Sequence, residues 1–196
     1  VLDIGAGTGL LSLMIAQKVN AVTDAVEIDE QAAKQARENA EASPFRDRIT
    51  VLNEDIRHKA ATKYDIIISN PPFYENELKS VSPQKNTAHH SSDLLLKDVL
   101  VIINESLSEE GRFFFLLPYK RKEDGIQLIQ EQQMQLKRII NVRQSLTHGY
   151  FRVMIEGTRQ AVAKEPLKEE EIAICSSGNN YSREFIELLK DYYLYL

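Results

Sequence analysis

A chain of 196 residues with 43% hydrophobic and 27% charged residues suits one compact globular domain with at most a small appendage. It has no apolar run long enough to cross a bilayer, and its single cysteine, Cys175, excludes an internal disulfide framework and a Cys-based zinc cluster while fitting a reducing compartment. The net charge of −5 is uneven: residues 1–111 carry 11 Lys/Arg against 18 Asp/Glu, residues 112–164 carry 10 against 4, and residues 165–196 carry 3 against 7. A basic centre in an acidic chain suits either a nucleic-acid-facing surface or a plain solvated face.

The chain opens on Val1-Leu2-Asp3-Ile4, a buried strand at 1–4 with no initiator Met or leader, so the natural protein is expected to begin upstream and to carry a segment absent here. Apolar spacing predicts a helix at 10–18, a strand at 24–28 and an Ala-rich helix at 30–42 ended by Ser43-Pro44. Strands follow at 49–52 and 64–69, the latter almost wholly apolar, as a central parallel strand is. Residues 73–92 are polar, aperiodic and long for a loop, which points to function. A helix is predicted at 93–107, a strand at 111–117 and a helix at 123–134. Two strands at 137–142 and 151–158 follow, joined by a turn at Thr147-His148-Gly149. A short strand ends at Cys175, and Ser182 is placed to cap a last helix reaching Tyr192. The alternation predicts an α/β fold, a doubly wound, mostly parallel sheet with an antiparallel C-terminal edge strand, in a single domain over 1–196.

Between the first strand and first helix lies Asp3-Ile4-Gly5-Ala6-Gly7-Thr8-Gly9, where glycines permit a tight turn and a ligand's approach to bare backbone. Glu27 ends the next strand, 18 residues after Gly9, where a carboxylate can accept both hydroxyl hydrogens of a ribose. A dinucleotide site favours G-x-G-x-x-G, whereas Gly5, Gly7 and Gly9 read G-x-G-x-G after Asp3, which disfavours a nicotinamide oxidoreductase. The pattern resembles the first motif of the class I, Rossmann-like methyltransferases. That resemblance implies S-adenosylmethionine as cofactor, the loop around its methionine end and Glu27 on its ribose. It also implies Asp55 on the adenine amine and Ile56 against the ring. The plain alternative for Asp55 is a loop carboxylate or helix cap.

Asn70-Pro71-Pro72-Phe73 follows the fourth strand, at the sheet edge where ligands of open parallel sheets sit. Conjugation makes an exocyclic aromatic amine a poor nucleophile. Two acceptors at its hydrogens, the Asn70 side-chain oxygen and the Pro71 carbonyl, would aim its lone pair, and consecutive prolines would hold both in place. Phe73 or Tyr74 offers a face on which an extruded base stacks. The tetrapeptide is similar to the [Asn/Asp/Ser]-Pro-Pro-aromatic signature of amino methyltransferases, which act on adenine or guanine amines or on the glutamine amide; without that context it is a strand-ending turn.

With Tyr74, the polar loop and the ending Tyr181-Ser182-Arg183-Glu184-Phe185, Leu188-Leu189 and Asp191-Tyr192-Tyr193-Leu194, the chain resembles the bacterial tRNA1(Val) (adenine37-N6)-methyltransferase family over nearly its whole length. This implies a tRNA substrate, methylation of the adenine beside the anticodon, and a cytoplasmic protein, monomeric or weakly dimeric. Lys120, Arg121 and Lys122, after the fifth strand on the edge of Asn70, are expected to dock RNA phosphates, with Lys137, Arg138 and Arg143 further on. His89-His90 cannot both face one metal without distortion and is read as loop; no metal is expected. Tyr192, Tyr193 and Tyr195 are read as packing residues. Alternatives are a glutamine-N5 methyltransferase acting on a release factor, a guanine-N2 methyltransferase of ribosomal RNA, a DNA adenine methyltransferase (disfavoured because no large recognition insert is seen) and a non-catalytic RNA-binding module that kept the fold.

Overall fold

The structure, a computed structural model, describes residues 1–59, 62–70, 95–159, 166–176 and 180–193. Its sheet is built from β1 (Leu2–Ile4), β2 (Thr23–Glu27), β3 (Ile49–Asn53), β4 (Tyr64–Ser69), β5 (Leu107–Pro118), β6 (Gln135–Ser145), β7 (Tyr150–Thr158) and β8 (Lys168–Cys175). The helices are α1 (Leu10–Lys18), α2 (Glu30–Glu41), α3 (Leu96–Ser106), α4 (Lys122–Glu131) and α5 (Arg183–Leu189).

All eight strands join one sheet in the order β3-β2-β1-β4-β5-β7-β6-β8. From β1 the chain steps outward through β2 to β3. It then returns to β4 on the other side of β1 and steps outward again to β5. This reversal between β1 and β4 opens a crevice at the carboxyl ends of the two strands, where ligands bind in such sheets. The parallel register pairs Ile4 with Ser69, and Ser69 Oγ donates to the Ile4 carbonyl at 2.9 Å. Gly5 and Asn70 therefore leave the sheet side by side.

The expected antiparallel C-terminal strand is β7, but it is not the edge. It pairs antiparallel with β5 on one side and with β6 on the other, while β8 closes the sheet parallel to β6. The physical reason is the short β6–β7 connection. Adjacent strands joined by a tight turn run antiparallel. Gly157 in β7 leaves room beside β5, because a Cβ there would lie 2.2 Å from the Phe113 ring.

Helix spacing explains the packing. Ala33, Ala36 and Ala40 form the buried stripe of α2, small enough to bring that helix close to the sheet, and a Cβ on Gly9 would sit 3.3 Å from that of Ala36. Leu96, Val99, Leu100 and Ile103 form the buried stripe of α3 and meet the alternate β5 residues Phe113, Phe115 and Leu117 in the main core. The opposite side chains of β5, Phe114 and Leu116, lie on the α1 face. There a cavity of about 370 Å³ starts at Ser69 and Asn70 and runs past Met154 to Arg138. The C-terminal segment returns to α1: Lys18 pairs with Asp191, Gln17 Nε2 donates to the Asp191 carbonyl, and Lys18 Nζ lies 5.2 Å from the Tyr192 ring centre. Tyr192 is thus a packing residue. Ser182 caps α5 by accepting from the Phe185 amide, and the helix ends at Leu189 rather than at Tyr192. Among the described residues no helix is long and apolar enough to cross a membrane.

Candidate active site

Gly5, Gly7 and Gly9 all have left-handed backbones, with φ of +70°, +56° and +82°. Side chains at these positions would strain the turn, so the three glycines are what the sequence needs to fold the loop this way. The loop is drawn toward β2 because the Gly5 and Ala6 amides both donate to the Val26 carbonyl, at 2.9 and 3.0 Å. At its tip, a Cβ on Gly7 would meet nothing within 4 Å, so this backbone faces open space.

Glu27 is gripped by backbone at both oxygens. The Gly7 amide donates to Oε2 and the Asp29 amide to Oε1, each at 2.8 Å. An ionised carboxylate has about four acceptor positions, so two amides leave room for two hydroxyl donors. Asn53 steadies the backbone behind it, its Nδ2 donating to the Glu27 and Ile28 carbonyls at 2.9 and 3.1 Å.

Asp3 is fully buried beneath the loop. Its Oδ2 accepts from Ser12 Oγ at 2.7 Å, while Oδ1, equally buried, has no hydrogen-bond partner. Burial pushes its pKa from 3.8 up to about 6, against the opposing effect of the Ser12 hydrogen bond. A half-satisfied buried carboxylate beside an open loop is a place for a cationic or N–H group.

Asp55 caps the short 3-10 turn Ile56–His58, accepting from the Arg57 amide at 3.0 Å. It also holds the Arg57 guanidinium, with Nε at 3.0 Å from both oxygens and Nη2 at 2.5 Å from Oδ2, and that partner holds its carboxyl below the usual range. Ile56 is buried in the main core. Asn70 is exposed at the mouth of the crevice. Pro71, Pro72, Phe73 and Tyr74, and also His89 and His90, lie outside the described residues.

The basic stretch is largely answered within the fold. Lys122 begins α4, is buried, and donates from Nζ to Glu169 Oε1 at 2.6 Å. Arg138 pairs with Glu156 and Glu170, Arg112 with Glu156, and Arg143 with Glu171. Three of these cations, Lys122, Arg138 and Arg143, thus meet the acidic run Glu169-Glu170-Glu171 of β8. Arg121 lies 3.8 Å from Asp124, and Lys120 is exposed in the turn Tyr119–Arg121. Among the described residues no group of three or more His, Cys, Asp or Glu could hold a metal ion.

Sequence reasoning missed Ser12 and Asn53. Ser12 is a hydroxyl in the apolar helix α1, a residue type that calls for an inward partner. Asn53 lies two residues before Asp55 and holds the backbone that follows the neighbouring strand.

Residues 1–112 match the family Methyltransferase small domain. The tRNA1(Val) (adenine(37)-N6)-methyltransferase of Dyadobacter fermentans is 39% identical over 197 residues, covering 99% of this chain and 82% of that protein. The enzyme of the same name from Parabacteroides distasonis is 35% identical, with the same coverage. The chain belongs to the tRNA1(Val) (adenine(37)-N6)-methyltransferase family. A solved chain from Agrobacterium tumefaciens described as a predicted O-methyltransferase superposes with a TM-score of 0.72 at 16% identity, covering 97% of this chain and 87% of that one. That likeness concerns fold alone and agrees with the doubly wound sheet. Membership makes the chain a methyltransferase, and the glycine loop, Glu27 and Asn70 stand at the crevice of this family's sheet.

Proposed function

We propose that this chain transfers the methyl group of S-adenosylmethionine to the exocyclic N6 of adenine 37 in tRNA1(Val), the reaction named for its relatives. The observation that carries the reading is the Ile4–Ser69 register, which sets the glycine loop beside Asn70. A cofactor loop and an amine-holding residue must adjoin for a methyl group to pass between two bound molecules.

The residues present fit the cofactor. Asp3 Oδ1 is a buried orphan suited to the ammonium end of a methionine, and open space faces Gly7. Glu27 would take the ribose hydroxyls, and Asp55 and Ile56 the adenine side. Bound S-adenosylmethionine supplies a methyl group on a positively charged sulfur. The protein's own task is orientation. The Asn70 side-chain oxygen and the Pro71 carbonyl accept the two N6 hydrogens, drawing the nitrogen toward a tetrahedral shape and aiming its lone pair. Phe73 or Tyr74 stacks the extruded base, and Lys120 and Arg121 hold phosphate. Lys122, buried and bound to Glu169, is less suited to that role.

The test uses the full-length protein with S-adenosylmethionine and tRNA lacking modification, followed by nucleoside mass spectrometry. New N6-methyladenosine at position 37 supports the reading. No methylated nucleoside, with cofactor binding intact, moves the assignment to the glutamine amide of a release factor.

A further inference from the structure

The sheet carries a second feature at the reaction edge, the β6–β7 hairpin. Because β7 runs antiparallel, its first residues emerge at the carboxyl ends of the parallel strands, the same edge as Gly5 and Asn70. The registers locate it. Ser69 pairs with Phe115, and Phe115 pairs with Ile155, so β4 and β7 are two strand spacings apart, about 10 Å. Phe151 lies four residues beyond Ile155 toward the edge and Asn70 one residue beyond Ser69, a difference of about 10 Å along the strands. Phe151 is therefore roughly 14 Å from Asn70, within the reach of a single-stranded loop whose target base is extruded.

The exposed end of this hairpin is aromatic and cationic. Phe151 is 40% and Leu146 62% exposed. The Arg152 guanidinium lies 5.6 Å from the Phe151 ring centre, and its Nη1 donates to the Phe151 carbonyl at 3.3 Å. Tyr150, next to Phe151 in the chain, belongs to a braced layer. The Tyr119 and Tyr150 rings meet at 5.0 Å, Lys122 lies over Tyr119 and Arg143 over Tyr150, and Glu169 and Glu171 pair with those two cations. An exposed ring beside a guanidinium, next in the chain to this charge-matched layer, is suited to a base and its phosphate.

We propose that Phe151 and Arg152 form a second RNA contact, with Phe151 stacking an unpaired base a few nucleotides from the target adenine and Arg152 holding the adjoining phosphate. This rests on the tRNA reading above.

The experiment measures binding of a fluorescently labelled anticodon stem–loop to the full-length protein, with Phe151→Ala, Phe151→Trp and Arg152→Gln. Both sites are exposed, and thermal melts confirm that each variant folds. Loss of the ring is expected to weaken binding about tenfold, Phe151→Trp to retain it, and Arg152→Gln to lower the salt dependence by about one phosphate contact. S-adenosylmethionine affinity should stay unchanged throughout. Equal stem–loop affinity in Phe151→Ala, Arg152→Gln and the unmodified protein overturns the proposal, as does a parent protein that binds no stem–loop. Methylation is scored separately. A parent that binds the stem–loop but methylates no tRNA removes the functional reading and leaves the hairpin result standing.

Discussion

The backbone N–H of Gly7 donates to Glu27 Oε2 at 2.8 Å, so the residue at the tip of the glycine loop and the acid at the end of β2 form one unit. The other Glu27 oxygen, held by the Asp29 amide, ties that unit to the start of α2. Changing Glu27 therefore alters the glycine loop as well as the ribose contact proposed for it. Glu27→Gln keeps the size but can accept at only one end. A hydrogen bond to a charged group is worth about 1.5–3 kcal/mol, so S-adenosylmethionine affinity should fall about ten- to a hundredfold by calorimetry. Faster amide exchange at Gly7 should accompany the loss. Unchanged affinity would remove Glu27 from the cofactor site.

Asp3 makes stability depend on pH in an unusual direction. Its folded pKa of about 6 stands above the unfolded value of 3.8, so between these values the folded chain binds more protons than the unfolded one. Stability then falls as pH rises from about 4 to 6, by on the order of 3 kcal/mol, and is flat with respect to this group above that window. Asp3→Asn should abolish this component, as read by urea unfolding at pH 5 and 7.5 beside the parent. A positive group on the cofactor would draw the proton off, so binding at pH 6 should release a proton into the buffer. Calorimetry in two buffers of different ionisation enthalpy detects that release, and its persistence in Asp3→Asn would assign the proton elsewhere.

Asn70→Ala tests whether the proposed aiming of the amine is separate from holding the cofactor. Asn70 is exposed at the crevice mouth, and the structural hydrogen bond at this corner comes from Ser69. Folding and S-adenosylmethionine affinity should stay close to those of the parent. Single-turnover methyl transfer should fall about 10²- to 10³-fold, the scale of losing one positioned hydrogen-bonding group at a reacting centre. Transfer at the parent rate would mean that the amine is held by some other group.

What could be read from the sequence divides along a physical line. The alternating elements and the places of the glycine loop and Glu27 in the fold were legible because each depends on local spacing: helical stripes such as Leu96, Val99 and Ile103, or an acid ending the strand after the loop. The insertion of β7 between β5 and β6 was not, since strand order is decided by contacts far apart in the chain. The same holds for Ser12 beneath Asp3 and for Asn53 behind Glu27, whose roles appear only when three strands are laid side by side. Lys122 gives the sharpest contrast. In sequence it is the third of three adjacent cations, but a carboxylate 47 residues away decides what it does.

That contrast can be measured. Lys122 is buried and paired with the half-exposed Glu169, which also accepts from Asn141 Nδ2 at 2.8 Å, whereas Lys120 is exposed and Arg121 lies 3.8 Å from Asp124. Glu169→Gln leaves the Lys122 ammonium without its counter-charge. Because the Glu169 side chain is half exposed, water moderates the cost, which should be on the order of 1–2 kcal/mol in urea unfolding. Lys122→Met removes the charge but keeps much of the stem, and should lower stability by a similar amount with little change in the salt dependence of tRNA binding. Lys120→Gln with Arg121→Gln should do the opposite, keeping stability within about 0.5 kcal/mol while lowering the slope of log affinity against log salt by up to about two contacts. If Lys122→Met weakens tRNA binding as much as that pair does, the ammonium leaves Glu169 for RNA, and the three cations act together as their sequence suggests.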